Sequence, residues 1–125
     1  MTLTIAFAGN KKSDRAIADP ITLFRGANEY ERLRLATEKQ AKRPVVFLLT
    51  IGNLTMRKAR ASFAYNFFSC AGYEVIDNNG FDTVDAGLKA AKDANADIIV
   101  VCSSDDEYPQ FATEAFDKGS KDAII

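Results

Sequence analysis

The chain has 125 residues, 47% of them apolar and 26% charged, which is enough for one domain with a hydrophobic core. Its formal net charge of −1 gives no general electrostatic attraction to nucleic acid, and no apolar run approaches the roughly 20 residues needed to span a bilayer. It contains no histidine, which removes imidazole as a metal ligand, general base or activator of a serine or cysteine.

Residues 1–43 read as an arm followed by a linker helix. The start has no basic stretch leading into a long apolar run, so no signal peptide is expected. A strand-like run at residues 3–8, turn signals at Gly9-Asn10 and Asp19-Pro20, and an apolar piece at residues 21–24 lack sustained periodicity. Such an arm needs a surface to pack on. Residues 28–42 follow as a helix, with Asn28 as the expected cap, Glu31 three residues later as in a capping box, and a thin stripe of Tyr30, Leu33 and Thr37. Arg43-Pro44 ends it, because proline pushes the residue before it out of the helical region.

Residues 44–125 alternate regularly. The run Val45-Val46-Phe47-Leu48-Leu49 suits a strand buried on both faces, as in a parallel sheet. A helix over about 56–71 should face inward with Phe63, Ala64, Phe67, Phe68 and Ala71, leave Tyr65 off that stripe, and stop at a left-handed Gly72. Residues 73–76 form a short strand. Thr83 caps a helix to about residue 94, with Val84, Gly87, Leu88 and Ala91 inward. Residues 97–102 are the third strand, about 109–117 the next helix, and residues 122–125 open a fourth strand. The order β-α-β-α-β-α-β implies a flavodoxin-like (Rossmann-like) doubly wound parallel α/β sheet of order 2-1-3-4, with the arm and helix at its N-terminal side. An end two residues into an apolar strand leads us to expect a fragment that lacks a fifth strand and a last helix.

In such a sheet ligands bind beyond the carboxyl ends of the strands where the order reverses, here between strands one and three. That singles out the loops 50–58 and 103–108. The first has one glycine and matches neither a dinucleotide nor a Walker fingerprint. Its cations Arg57, Lys58 and Arg60 fit either an anionic neighbour or a solvated face. The acids Asp105, Asp106 and Glu107 fit either stabilisation of a helix start or, more remotely, Mg²⁺. We expect Arg57 or Lys58 to pair with Asp106 or Glu107 and close the crevice. No catalytic residue is assigned, since Ser103, Ser104 and Cys102 have no histidine to activate them. Cys70 and Cys102 have no metal-type spacing and read as buried free thiols, with a disulfide as the alternative.

Several blocks in register resemble the small, non-catalytic subunit of two-chain methylmalonyl-CoA mutase and the cobalamin-binding-type domain of that family. They are Leu48-Leu49-Thr50-Ile51-Gly52-Asn53-Leu54, Arg57-Lys58-Ala59-Arg60-Ala61, Asn66-Phe67-Phe68, the stretch from Ala71 to Phe81, and the stretch from Ile99 to Tyr108. Phe24-Arg25-Gly26 with Glu31-Arg32-Leu33-Arg34 resembles the family's linker. The family's cobalt-ligand motif, D-x-H-x-x-G, falls on Leu54, Met56 and Ala59, so all three motif residues are replaced; its S-x-L motif falls on Ser103-Ser104-Asp105, with Asp105 in the leucine position. Met56 either fills the vacated space or offers a weak thioether. The resemblance implies a cytoplasmic heterodimer in which a large catalytic subunit holds adenosylcobalamin and interconverts methylmalonyl-CoA and succinyl-CoA. This chain would bind no cofactor and no metal and be inactive alone. The alternatives are a cobalamin-binding domain working base-off without a histidine, and a stand-alone flavodoxin-like ligand-binding module.

Overall fold

A computed structural model describes residues 23–119 and 123–125. The expected strand at residues 3–8, both N-terminal turns and the first residues of the 21–24 piece lie outside the described residues. Leu23 and Phe24, at its end, are exposed.

The elements run α1 (Asn28–Glu38), β1 (Val45–Thr50), α2 (Leu54–Cys70), β2 (Glu74–Ile76), α3 (Val84–Asp93), β3 (Ile98–Cys102) and α4 (Tyr108–Gly119). The three strands form a parallel sheet in the order β2-β1-β3. Val46 lies beside Val75 on one side and Ile98 on the other, and Thr50 beside Cys102. On the outer side of β3, Ile124 makes an isolated parallel bridge to Ile98, the place that a 2-1-3-4 order gives to the fourth strand.

The continuous apolar run of β1 is buried along its whole length because helices cover both faces. Its alternate residues serve two cores. Phe47, Leu49 and Ile51 pack with Val84 and Ala91 of α3, Ile99, and Ala115 of α4. Val46 and Leu48 pack on the other face with Ala61 and Ala64 of α2 and with Cys102. Period-2 alternation on a central strand thus divides the domain into its two layers. A Cβ on Gly87 would lie 2.7 Å from Leu49 Cγ, so a hydrogen there is what lets α3 approach β1 so closely. The Thr83 hydroxyl accepts from Ala86 N–H at 3.3 Å and caps α3 as expected. Gly72 ends α2 at φ +84°.

Several expectations are corrected. Asn28 is not a cap: it is the first helical residue, Ala27 precedes it without a side-chain cap, and Glu31 instead pairs with Arg25 at 2.7 Å. The helix stops at Glu38, short of residue 42. Of its stripe only Thr37 is buried; Tyr30 and Leu33 remain largely exposed. α1 rests on the far end of α2, where the Tyr30 hydroxyl donates to Phe67 O at 3.0 Å and Arg34 to Cys70 O at 3.1 Å. The inward face of α2 is Ala61, Ala64 and Phe68, whereas Phe63 is 72% and Phe67 53% exposed. Small residues let α2 sit close to the sheet, which turns the larger rings one step round the helix to the outside. Both cysteines are free, and Cys70 is exposed rather than buried.

Candidate functional site

With order β2-β1-β3, the chain reverses direction across the sheet between β1 and β3, and the crevice above that point is framed by residues 51–53 and 103–107. Gly52 takes φ +80°, a conformation that L side chains rarely adopt, and Asn53 then caps α2, its side-chain oxygen accepting from Thr55 and Met56 N–H at 3.1 Å each.

One side chain fills the crevice. The Oε2 atom of Glu107 accepts from Asn53 N–H at 2.9 Å, from the Ser103 hydroxyl at 3.0 Å and from the Ser104 hydroxyl at 2.6 Å. A Cβ on Gly52 would lie 2.6 Å from Glu107 Cδ and 2.7 Å from Ser103 Oγ, so this glycine is also required by the carboxylate packed against it. The bonds from Ser104 and from the Asn53 backbone, with Ser103 adding to them, outweigh desolvation and pull the Glu107 carboxyl down to about 2. Beneath the same loop, burial, aided by the negative charge of Asp77, pushes the Cys102 thiol up to about 11. Cys102 is therefore no nucleophile at neutral pH.

The expected closure of the crevice by Arg57 or Lys58 against Asp106 or Glu107 is corrected in its partners. Arg57 reaches the other way: it donates to Gly52 O at 3.1 Å and Asn79 O at 3.0 Å, pinning the loop after β1 to the loop after β2. Its guanidinium lies over Gly80, whose φ of +110° brings the chain under it. Lys58 lines a cavity on the β2 side of α2. The ion pair that crosses the rim joins Arg60 to Asp105 at 2.8 Å, and Asp106 is exposed. Leu54 and Ala59 face solvent in the first turns of α2, and Met56 is half-buried between them. Among the described residues no group of three or more Cys, Asp or Glu is placed to hold a metal ion.

Two arrangements went unread in the sequence. Ser104-x-x-Glu107 has the spacing of a capping box, but the bond joins the two side chains just before α4, the Ser104 hydroxyl donating to Glu107; Asp105 and Asp106 beside it made the segment look like a plain acidic cluster. Asn78 ties the loop after β2 to β1, donating to Leu48 O at 2.5 Å and accepting from the Thr50 hydroxyl at 2.5 Å and Gly80 N–H at 3.1 Å. An Asn-Asn-Gly run signals a turn but not where its amide will reach.

No protein-family model matches the chain. Residue by residue it is 62% identical, over 99 residues, to the methylmalonyl-CoA mutase small subunit of Porphyromonas gingivalis, a match that covers 79% of this chain and 16% of that protein. It is 33% identical over 66 residues to the probable methylmalonyl-CoA mutase small subunits of Mycobacterium bovis and Mycobacterium tuberculosis, covering 53% of this chain and 11% of each of them. The chain is thus homologous to the methylmalonyl-CoA mutase small subunits, over a stretch that is about one sixth of the length of the Porphyromonas gingivalis relative.

Proposed function

We propose that the chain serves as part of a non-catalytic small subunit that pairs in the cytoplasm with a large mutase subunit. In that heterodimer the large chain holds adenosylcobalamin and isomerises methylmalonyl-CoA to succinyl-CoA, and this chain is inactive alone. The observation that carries the reading is the carboxylate of Glu107 in the switch-point crevice, held there by three donors on one oxygen. A ligand seated in that crevice would have to displace it. The donor set of the preceding turn agrees: Leu54, Met56 and Ala59 present hydrocarbon and one thioether, and the chain has no histidine. These residues do not fit the lower ligand of a cobalt ion, so no step through the cofactor is assigned to this chain.

The partner side of the proposal is supported by an aromatic face. Phe63 and Phe67 stack on the outside of α2 at 6.2 Å, Phe67 meets Phe68 edge-on at 5.3 Å, and Leu23 and Phe24 are exposed just before α1. Aromatic side chains of this kind are enriched where one protein docks on another. No helix among the described residues is long and apolar enough to cross a membrane, and neither a membrane nor a nucleic acid is proposed as a partner.

Titration with hydroxocobalamin, followed by its visible spectrum, tests the cofactor half. The spectrum of the free corrinoid should persist; stoichiometric uptake would overturn the reading in favour of a base-off cobalamin domain. Isolation of the full-length protein from its native cell tests the other half. A large mutase chain should come with it, and its absence would favour a stand-alone module.

A further inference from the structure

The cavity of about 350 Å³ between α2 and the loop after β2 lies on the opposite side of α2 from the crevice that Glu107 fills. One face of α2 lines it with Arg57, Lys58, Ser62, Tyr65 and Asn66, and Asp77 lines it from the loop. Among the described residues neither Arg57 nor Lys58 has a carboxylate within ion-pair distance. Arg57 is moreover half-buried, and its Nε–H is shut off from solvent without a partner. The side chains of Ser62, Tyr65 and Asn66 are likewise without hydrogen-bond partners among the described residues. Arg25, Arg32, Arg34, Arg60 and Lys118 meet carboxylates, whereas Lys39, Arg43 and Lys89, like Arg57 and Lys58, have none within ion-pair distance among the described residues. Of these cations, Arg57 and Lys58 line one cavity together.

We propose that this cavity binds a small phosphorylated polyol, such as a sugar monophosphate. Arg57 and Lys58 supply two positive charges beside the cavity, which suits a phosphate dianion. Asp77 works against a bare anion but accepts hydrogen bonds from hydroxyl groups, and Ser62 and Asn66 can either donate to them or accept from them. Tyr65, exposed on the same face, offers a ring for the flat side of a sugar. The volume is at the small end of the roughly 300–1,000 Å³ typical of small-molecule sites, so one compact molecule is the limit. This site is independent of the proposed pairing with a mutase subunit.

The test is a titration of the ¹⁵N-labelled chain with ribose 5-phosphate, ribose and inorganic phosphate, read by amide chemical shifts. Ribose 5-phosphate should shift Lys58, Ser62, Asn66 and Asn78 saturably, while ribose and inorganic phosphate should bind about tenfold more weakly or less, as expected for losing one charge-assisted contact set. Lys58→Glu, at an exposed position, should weaken ribose 5-phosphate by about tenfold or more while leaving the circular dichroism spectrum unchanged. Absence of shifts at these residues with millimolar ribose 5-phosphate overturns the proposal. So does equal binding of inorganic phosphate or of ribose, and so does a Lys58→Glu chain that folds and binds as before.

Discussion

Gly52→Ala probes the packed crevice directly. Two costs are separable from the structure. At φ +80° an alanine leaves the conformations that L residues favour, which costs roughly 1–2 kcal/mol. The new methyl also falls on the Glu107 carboxyl, 2.6 Å from Cδ, and 2.7 Å from Ser103 Oγ; an overpacked contact of this kind costs about 1–3 kcal/mol. Together the loss is about 2–5 kcal/mol, a large share of the roughly 5–15 kcal/mol that holds a typical domain folded. With a urea slope near 2 kcal/mol per molar, the unfolding midpoint should fall by about 1–2.5 M. The second cost depends on Glu107. In a Glu107→Ala background the same glycine substitution should lose the share of the second cost that the carboxylate imposes, keeping its backbone part of about 1–2 kcal/mol and what Ser103 Oγ still imposes. Urea curves of the four proteins of this cycle give both numbers. A Gly52→Ala chain less than about 0.5 kcal/mol below its parent would refute the reasoning. Strictly additive costs would show that the carboxylate does not lie against Gly52.

Three further outcomes follow from the same geometry. Glu107 has a folded-state pKa of about 2, below its ordinary value of 4.5, so its contribution to stability is present above about pH 4.5 and is lost as pH falls through 2; Glu107→Gln should flatten that acid limb of a stability–pH curve, and an unchanged limb would contradict the three-donor site. Iodoacetamide followed by mass spectrometry should modify Cys70 readily and leave Cys102 untouched at pH 8, since Cys102 is buried and its pKa stands at about 11; equal labelling would contradict its placement. Phe63→Ser should change stability by no more than about 0.5 kcal/mol because the ring is outside, whereas Leu49→Ala should cost about 2–5 kcal/mol, and thermal or urea unfolding compares them.

The architecture was legible because its signals are long and redundant. Three apolar runs, each closed by a turn and followed by a helix, leave few topologies once crossovers are right-handed. Burial of all six residues of β1 follows from the lack of any polar alternation in it. The face of α2 was not legible to the same degree. Its contact stripe is Ala61, Ala64 and Phe68, and a reading that seeks the largest apolar residues turns the helix toward Phe63 and Phe67 instead. Size marks a hydrophobic residue in sequence, but close packing of a helix on a sheet selects small ones. The cap of α1 was misread for a local reason: an Asn with a Glu three residues on fits a capping box, yet Arg25 captures that Glu and the helix starts one residue early.

The charged loops show a different limit. Sequence places Arg57, Lys58, Arg60, Asp105, Asp106 and Glu107 near one another, and opposite charges suggest pairing. An exposed ion pair contributes only about 0–1 kcal/mol, so it cannot dictate which cation finds which acid. Backbone groups left over by the fold impose stronger demands. The carbonyls of Gly52 and Asn79 point into one gap and draw in Arg57; the N–H of Asn53 and two serine hydroxyls point into another and draw in Glu107. Each long side chain therefore goes to main-chain and hydroxyl partners, and the remaining pair, Arg60 with Asp105, closes the rim. The same reasoning bears on ligands. Because Glu107 stays ionised down to about pH 2, the crevice carries a resident anion across the whole physiological range. A neutral or anionic molecule that takes the place of that carboxylate must offer an acceptor to the three donors it releases, so the crevice disfavours such ligands. The cavity on the other flank of α2, lined by Arg57 and Lys58 with one acid, Asp77, has a net positive lining instead.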